Sequence, residues 1–370
     1  MRLGTCIALE LVVAVGAVGG VFLGVSQVAR LSGEYLAGSE AVAATASPAA
    51  SVTLAVHEPV RLPHASLEIA WPVVVADNVF GIPDAELLAP LGEAPPIKLK
   101  VNHGGTSLSL RLEFANGSRA AFKPEQNHPQ SDPRREIAAY RIDRLLGIGR
   151  VPPAKPTTIT VDELLAAAEP SHRTFIGSRL RDEAIIRRGV IHGELSWWVP
   201  EIKLAKLGPH KIDEKDGKLV WTSYLQIGAT IPAEVRPLVE QISALVLFDV
   251  LIDNPDRWTG SNTMMALDGQ TLFFMDNTMS FSNLAFGHQS NLLAMRRIQV
   301  FPRGLVARLR ALTAEQLAEA LVVPEAAAHQ LSPLLHPSET RAILVRRDNM
   351  LRFIDQLFEQ YGEAEVLAIP

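Results

Sequence analysis

Glu234 to Ile252 is the most apolar helix-length segment after position 160, and it runs straight into the acid-rich stretch Asp253-Asn-Pro-Asp-Arg-Trp258. A helix this apolar has to be buried on most sides. The chain must therefore build a large core around it, and the acidic loop must emerge at that core's edge. A second acid follows soon after: the short apolar strand Leu272-Phe-Phe-Met275 ends in Asp276-Asn277. Two acids about 20 residues apart, one on a loop and one at a strand end, suit phosphoryl transfer. One orients or deprotonates an attacking hydroxyl, and the other holds Mg²⁺ or Mn²⁺ on phosphates.

A chain of 370 residues can supply one large two-lobed domain or two ordinary ones. With 48% hydrophobic and 20% charged residues the composition is globular. The net charge of −5 gives no overall basic field and argues against nucleic acid as a partner. The local pairs Arg179-Leu-Arg181, Arg187-Arg188 and Arg346-Arg347 read as solvated surface. Cys6 is the single cysteine, which excludes an intrachain disulfide and a cysteine-based zinc site. The ten histidines are scattered and contain no His-x-x-x-His pair.

Ile7 to Val28 is apolar except for Glu10, Ser26 and Gln27, and is flanked by Arg2 and Arg30. Its uninterrupted part, Leu11 to Val25, falls short of the roughly 20 residues of a comfortable span. Residues 1–30 read as an uncleaved N-terminal membrane anchor, with a signal-peptide core and a buried helix as competing readings. One arginine on each flank leaves the orientation open. Residues 31–65, rich in Ala, Ser, Gly and Pro, read as a flexible linker.

The remainder divides into a β-rich part, 66–160, and a mainly helical part, 161–370. Thr106 to Phe114 alternates apolar and polar residues, Asn116-Gly117 turns, and Arg119-Ala-Ala-Phe-Lys123 returns. Alternation around Asn-Gly predicts a hairpin with Leu108, Leu110, Leu112 and Phe114 on one face. The turn also accounts for the glycosylation-type triplet Asn116-Gly-Ser118. Asp132 and Pro133 before a helical pattern, with Gly147 after it, bracket a helix at both ends. Thr313 to Leu321 and Ser338 to Tyr361 read as amphipathic helices with their charges outward. The fold class expected is α+β, with a small β-rich lobe, a larger helical one and a cleft between them.

Lys123, at the end of the second hairpin strand, can reach nucleotide phosphates as a fixed point charge, although a solvated edge lysine is the plainer reading. Glu136 sits in the first turn of the next helix, where it can pair with Lys123 or simply answer the helix dipole. Gly104 and Gly105 let backbone N–H groups approach a phosphate, or form an ordinary turn. Asp256 is the candidate base, while Asp253 and Asn254 read as capping and turn residues. Asn262 has the amide to help hold a metal or phosphate, and Asp276 is placed to bind metal. Singly each signal is weak, but the order Lys, Glu, Asp, Asp on strand, helix, loop and strand is specific.

Gly104-Gly-Thr106, Ala121-Phe-Lys-Pro124, Glu136-Ile-Ala-Ala-Tyr140, Arg144-Leu-Leu-Gly147 and Val151-Pro-Pro153 together resemble the secretory-pathway kinases related to the Golgi casein kinase and four-jointed. Phe248 to Ile252, Asp256-Arg257 and Asp276-Asn277 resemble the same family. The match covers about 100–155 and 240–282. It implies an atypical protein-kinase-like fold, with Lys123 on nucleotide phosphates, Asp256 as base, Asp276 on the metal, and Glu136 on Lys123 or the metal. It also implies ATP with Mn²⁺ or Mg²⁺ as cofactors and a protein Ser/Thr or glycan sugar as acceptor. A lipid kinase of the phosphoinositide type and a nucleotide-binding pseudokinase without turnover are the alternatives. Trp258 stands where the casein-kinase branch tends to have His, and Thr278 replaces the usual Gly, which implies a stiffer metal loop. The absence of cysteine after residue 6, with the Ala- and Pro-rich composition, points to a bacterial relative. Residues 160–235 match nothing, and the choice of acceptor is expected to reside there.

Overall fold

The computed structural model describes residues 78–102, 107–259, 262–325 and 329–370. A short helix α1 (Asp84–Leu88) leads into strands β1 (Pro96–Val101), β2 (Leu110–Phe114) and β3 (Arg119–Pro124). β2 and β3 form the hairpin that the Asn-Gly signal predicts, with Leu110 opposite Phe122 and Leu112 opposite Ala120. Gly117 makes the turn at φ +83°, a conformation that a residue without Cβ adopts freely. Leu108, Leu110, Leu112 and Phe114 are all buried on one face.

Helix α2 (Pro133–Leu145) starts where expected, because the Asp132 side chain accepts the Arg134 N–H at 3.0 Å. After it come β4 (Ala154–Thr160), α3 (Val161–Ala167), α4 (Arg173–Glu183), β5 (Ile186–Arg187) and β6 (Val190–Trp197). The strands assemble in the order β1-β2-β3-β6-β4, with β5 also on β6, and every pairing is antiparallel. β6 is a central strand inside a stretch whose patterning suggested helix. Ile191 to Leu195 is buried at every position, so the two-residue alternation that betrays a half-buried strand is missing.

The sheet packs on α3 and α4 around Leu110, Phe114, Phe122, Leu164, Leu180 and Leu195. A separate and larger core surrounds α6 (Arg236–Ile252), which buries 12 of its 17 residues. At roughly 1.5–3 kcal/mol for each large apolar side chain removed from water, this one helix anchors the larger body. Before it come the short strands β7 (Ile202–Leu204), β8 (Lys206–Leu207) and β9 (His210–Lys211) and helix α5 (Lys215–Tyr224). After it come β10 (Met264–Ala266), β11 (Leu272–Phe273), α7 (Gln289–Arg296), α8 (Arg303–Ala311), α9 (Ala314–Ala320), α10 (Pro337–Tyr361) and α11 (Glu363–Val366). β7, β10 and β11 form a second small sheet. Helix α2 contributes Ile137, Ala138 and Ile142 to the larger core while touching β4 and β6, so it ties the two bodies together.

Two expectations are corrected. Arg346 on α10 is not solvated surface: it is 1% exposed and donates to the carbonyls of Leu251, Ser282 and Leu284. Its guanidinium satisfies one carbonyl in the last turn of α6, which has no helical partner, and two in the loop 282–284. The membrane-anchored localisation is not supported either, since no helix among the described residues is long and apolar enough to cross a membrane. The expected apolar helix, residues 1–30, and the linker, 31–65, lie outside the described residues. The apolar run there is itself shorter than a span requires.

Gly193 on β6 is where the sheet is tightest. A Cβ there would lie 2.5 Å from the Lys123 carbonyl oxygen and 2.6 Å from the Phe122 ring. Gly193→Ala should therefore force β3 and β6 apart and lower stability by about 1–3 kcal/mol, the usual range for overpacking. Urea unfolding at fixed pH measures this, and an unchanged midpoint would mean that the strands can separate at no cost.

Candidate active site

Lys123 lies at the inner end of β3, and three acids surround it. Its Nζ donates to Glu136 Oε1 at 2.6 Å and to Asp276 Oδ1 at 2.8 Å. Glu136 comes from the first turn of α2, and Asp276 follows β11 in the left-handed conformation (φ +58°). Lys123 and Glu136 are 13% and 6% exposed, whereas the Asp276 side chain is 48% exposed and open to the cleft. Burial alone would lower the Lys123 pKa, but Asp276, Glu136 and Glu194 together outweigh it and hold the amine above the ordinary lysine range. The Lys123 charge in turn holds Asp276 below the usual carboxylate range.

Glu136 is fixed from a second side. Its Oε1 also accepts the Asn277 N–H at 2.8 Å, and its Oε2 accepts Asn277 Nδ2 at 3.3 Å. The residue beside Asp276 therefore locks the glutamate that pairs with Lys123. The third acid, Glu194, lies directly opposite Lys123 in the β3–β6 register and is completely buried. One of its oxygens accepts the Ser196 hydroxyl at 2.8 Å, while the other, Oε1, has no hydrogen-bond partner. Burial, reinforced by Glu136, raises the Glu194 pKa well above the usual range.

Asp256 is held on the loop after α6. Asn262 Nδ2 donates to its Oδ2 at 2.5 Å, the Thr259 hydroxyl to its Oδ1 at 2.6 Å, and its own N–H to Asn254 Oδ1 at 3.1 Å. Asn254 Nδ2 reaches across to the Asp276 carbonyl at 3.1 Å, which ties the loop that carries Asp256 to the one that carries Asp276. Arg257 stands behind both. Its guanidinium is fully buried, sits 3.3 Å from both Asp249 oxygens, and donates to Asn277 Oδ1 at 2.7 Å, the Asn262 carbonyl at 3.2 Å and the Met275 carbonyl. Asp253 closes α6 at φ +57° and accepts from Ser282, from the His288 N–H at 2.7 Å and from Asn291 Nδ2 at 3.1 Å.

A cavity of about 430 Å³ opens along this cluster. Lys123, Glu136, Asn262 and Asp276 line it together with Trp197, Trp198, Val199 and Met264. Ala121 and Ser196 continue the face that carries Lys123 and Glu194, two residues along the ladder, and Val199 and Met264 form the apolar part of the cavity. An apolar slot beside a charged cluster suits the two ends of a nucleoside triphosphate. Trp258, in contrast, faces inward: it is 6% exposed and packs on Trp221 with ring centroids 5.2 Å apart.

The structure thus brings Lys123, Glu136 and Asp276 into direct contact and places Asn262 between the cavity and Asp256. Gly104 and Gly105 lie outside the described residues. Asp253 and Asn254 do terminate a helix, as their type predicts, but their burial and cross-loop bonds were not legible in the sequence. Glu194, Ser196, Trp197 and Trp198 went unread because β6 itself was not recognised. The isolated Gly193 between Ile191 and Leu195 was the available signal, since a glycine inside a strand marks a close backbone approach.

Among the described residues no three His, Cys, Asp or Glu side chains are grouped so as to enclose a metal. The Glu136 and Asp276 carboxylates nevertheless meet at a single cation, the Lys123 ammonium. A divalent ion of the Mg²⁺ type takes one or two carboxylates and fills its remaining positions with phosphate oxygens and water. The residues present fit an ion of that kind.

No protein-family model matches the chain. The chain is 25% identical over 307 residues to the glycosaminoglycan xylosylkinase of Homo sapiens, a match covering 73% of this chain and 74% of that protein. It is 23% identical over 318 residues to the extracellular serine/threonine protein kinase FAM20C of Homo sapiens, covering 75% of this chain and 54% of that one. Among solved structures, the Golgi casein kinase with Mn/ADP bound aligns with a TM-score of 0.59 and 18% identity, over 77% of this chain and 78% of that one. The fold is therefore kinase-like, and the resemblance to the Golgi casein kinase group drawn from the motifs is borne out.

The buried Arg257–Asp249 pair underlies the loop geometry. Removing the acid in Asp249→Ala leaves a buried guanidinium unpaired and should cost about 3–5 kcal/mol at pH 8, where the acid is charged. Burial, opposed by Arg257, raises the Asp249 pKa from 3.8 to about 7. A raised acid contributes stability in full below its unfolded value and loses it as pH rises through the folded one. The gap between variant and wild type should accordingly narrow from pH 5 to pH 8 in urea unfolding. A gap that widens over that range would contradict the sign.

Proposed function

We propose that this chain is a metal-dependent kinase that moves the γ-phosphoryl group of ATP to a hydroxyl of a protein Ser/Thr or of a glycan sugar. The observation that carries this reading is the meeting of Lys123, Glu136 and Asp276 in a cavity that Val199, Ile202 and Met264 also line. The similar proteins support it, because their names describe phosphoryl transfer to a glycan sugar and to serine or threonine, and one solved structure holds Mn and ADP.

In this reading the base lies against Val199 and Met264, and Lys123 contacts the phosphates as a fixed positive charge. Glu136 and Asp276 would hold Mn²⁺ or Mg²⁺, which offsets the negative charge of the phosphates when bound. Asp256, oriented by Asn262 and Thr259, accepts the proton of the acceptor hydroxyl as its oxygen bonds to the γ-phosphorus. The bond from that phosphorus to the bridging oxygen breaks, and its electron pair leaves with ADP. The phosphorylated acceptor and a protonated Asp256 remain, and the proton passes to solvent from the exposed side of the loop. The smaller lobe, expected to span 66–160, is better extended through β6 on this reading, because Leu195 shares its core and the chain crosses to the second sheet just beyond Trp198.

A pseudokinase is disfavoured because Lys123, Glu136, Asp256 and Asp276 are all present in the sequence, and loss of any one would be the sign of a dead site. The test is transfer from radiolabelled ATP, with Mn²⁺ or Mg²⁺, to acidic proteins and to xylose-containing glycans. Asp256→Ala should lower kcat by about 10²–10⁴-fold, the usual worth of a positioned base, and leave Mn²⁺-ADP binding intact. Asp276→Ala should abolish cation-dependent nucleotide binding. Nucleotide binding without turnover in the wild type would point to the pseudokinase instead.

A further inference from the structure

Glu136 and Asp276 cannot serve a divalent cation while both are fully engaged with Lys123. Their oxygens are the two acceptors of its ammonium, at 2.6 and 2.8 Å, so the lysine occupies the point at which the carboxylates converge. A cation entering there must displace Lys123 from at least one of them. The displaced ammonium is largely buried, and a buried ammonium that loses a partner needs another acceptor.

One is in place. Glu194 is opposite Lys123 across the β3–β6 ladder, and residues paired in this way project to the same face of a sheet. Its carboxylate is fully buried and has one oxygen on Ser196, with Oε1 bonded to nothing. A buried carboxylate oxygen without a donor is costly and rare, and persists where a partner arrives only in another state. Nothing in folding requires an acid at this strand position, since Ser196 and Trp197 complete the wall and the sheet ladder is made by the backbone.

We infer that Glu194 is a positioning residue that receives the Lys123 ammonium when a divalent cation takes Asp276, and so allows the nucleotide site to load. Glu194 touches neither the acceptor nor the transferred group and acts through Lys123. In the ion-free state Lys123 bridges Glu136 and Asp276. In the loaded state Lys123 lies between Glu194 and the phosphates, and Asp276 and Glu136 face the ion. This inference rests on the kinase reading above.

The experiment uses the full chain, with Mn²⁺ as probe, by titration calorimetry with and without ADP, in the wild type, Glu194→Gln and Glu194→Met. Both substitutions remove a buried acid whose second oxygen has no partner, so the melting temperature should hold or rise. Mn²⁺ affinity without nucleotide should fall about tenfold in Glu194→Met and less in Glu194→Gln, whose carbonyl oxygen still accepts from Lys123. KM for ATP should rise with kcat nearly unchanged, because Asp256 is untouched. Stable variants with wild-type Mn²⁺ affinity would overturn the inference, and so would a lowered melting temperature in both variants with no change in Mn²⁺ affinity. If the wild type itself binds neither Mn²⁺ nor Mn²⁺-ADP, the kinase reading fails first and the inference falls with it.

Discussion

Lys123 is the point at which three separately folded parts of this molecule meet. The sheet delivers it on β3, α2 brings Glu136, and the turn after β11 brings Asp276. Each of the three is anchored elsewhere: the strand by its ladder to β6, the helix by apolar residues in the larger core, and the turn by Arg257 and Asn254. A buried ion pair is generally a poor source of net stability, since desolvation offsets much of the attraction. Its value here is geometric. An ammonium between two carboxylates tolerates little displacement of either, and this sets the registry between the β-rich and helical bodies at the place where a nucleotide would lie.

Behind that cluster the acids of the helical body are organised by the same requirement, that no buried charge be left without a partner. Arg257 is shared among Asp249, Asn277 and two backbone carbonyls, and Arg346 supports the end of α6 and the loop around Leu284. Asp253, in the left-handed conformation, collects Ser282, His288 and Asn291. The outcome is a braced floor from which Asp276 and Asn262 line the cavity, with Asp256 held behind Asn262. Glu194 breaks the rule: it is the one acid beside Lys123 with an unbonded, buried oxygen, and this is why a role in another state of the site is assigned to it.

The hairpin, α2 and the apolar α6 were legible because their signals are local. Asn-Gly between alternating residues, Asp-Pro before a helical pattern, and a long apolar run each have one favoured backbone outcome. Lys123, Glu136, Asp256 and Asp276 could be picked out because the type and order of the residues carry chemical meaning even when their distances are unknown. β6 was missed, and Glu194 with it, because a strand buried on both faces has no alternation to detect. The inward turn of Arg346 was also missed, since an arginine on a helix looks the same whether it meets water or orphaned carbonyls.

The chain's own order thus determined the local elements and the identity of the acids and the lysine, since these follow from periodicity, turn chemistry and side-chain type over a few residues. Tertiary structure alone decided that Lys123 bonds Glu136 and Asp276 at once, that Asn277 and Arg257 lock those acids, and that Glu194 stands across the strand with an oxygen unbonded. These facts depend on residues up to 153 positions apart meeting within hydrogen-bond distance. No local pattern encodes such a meeting, because it is the packing of two cores against a shared helix that brings it about.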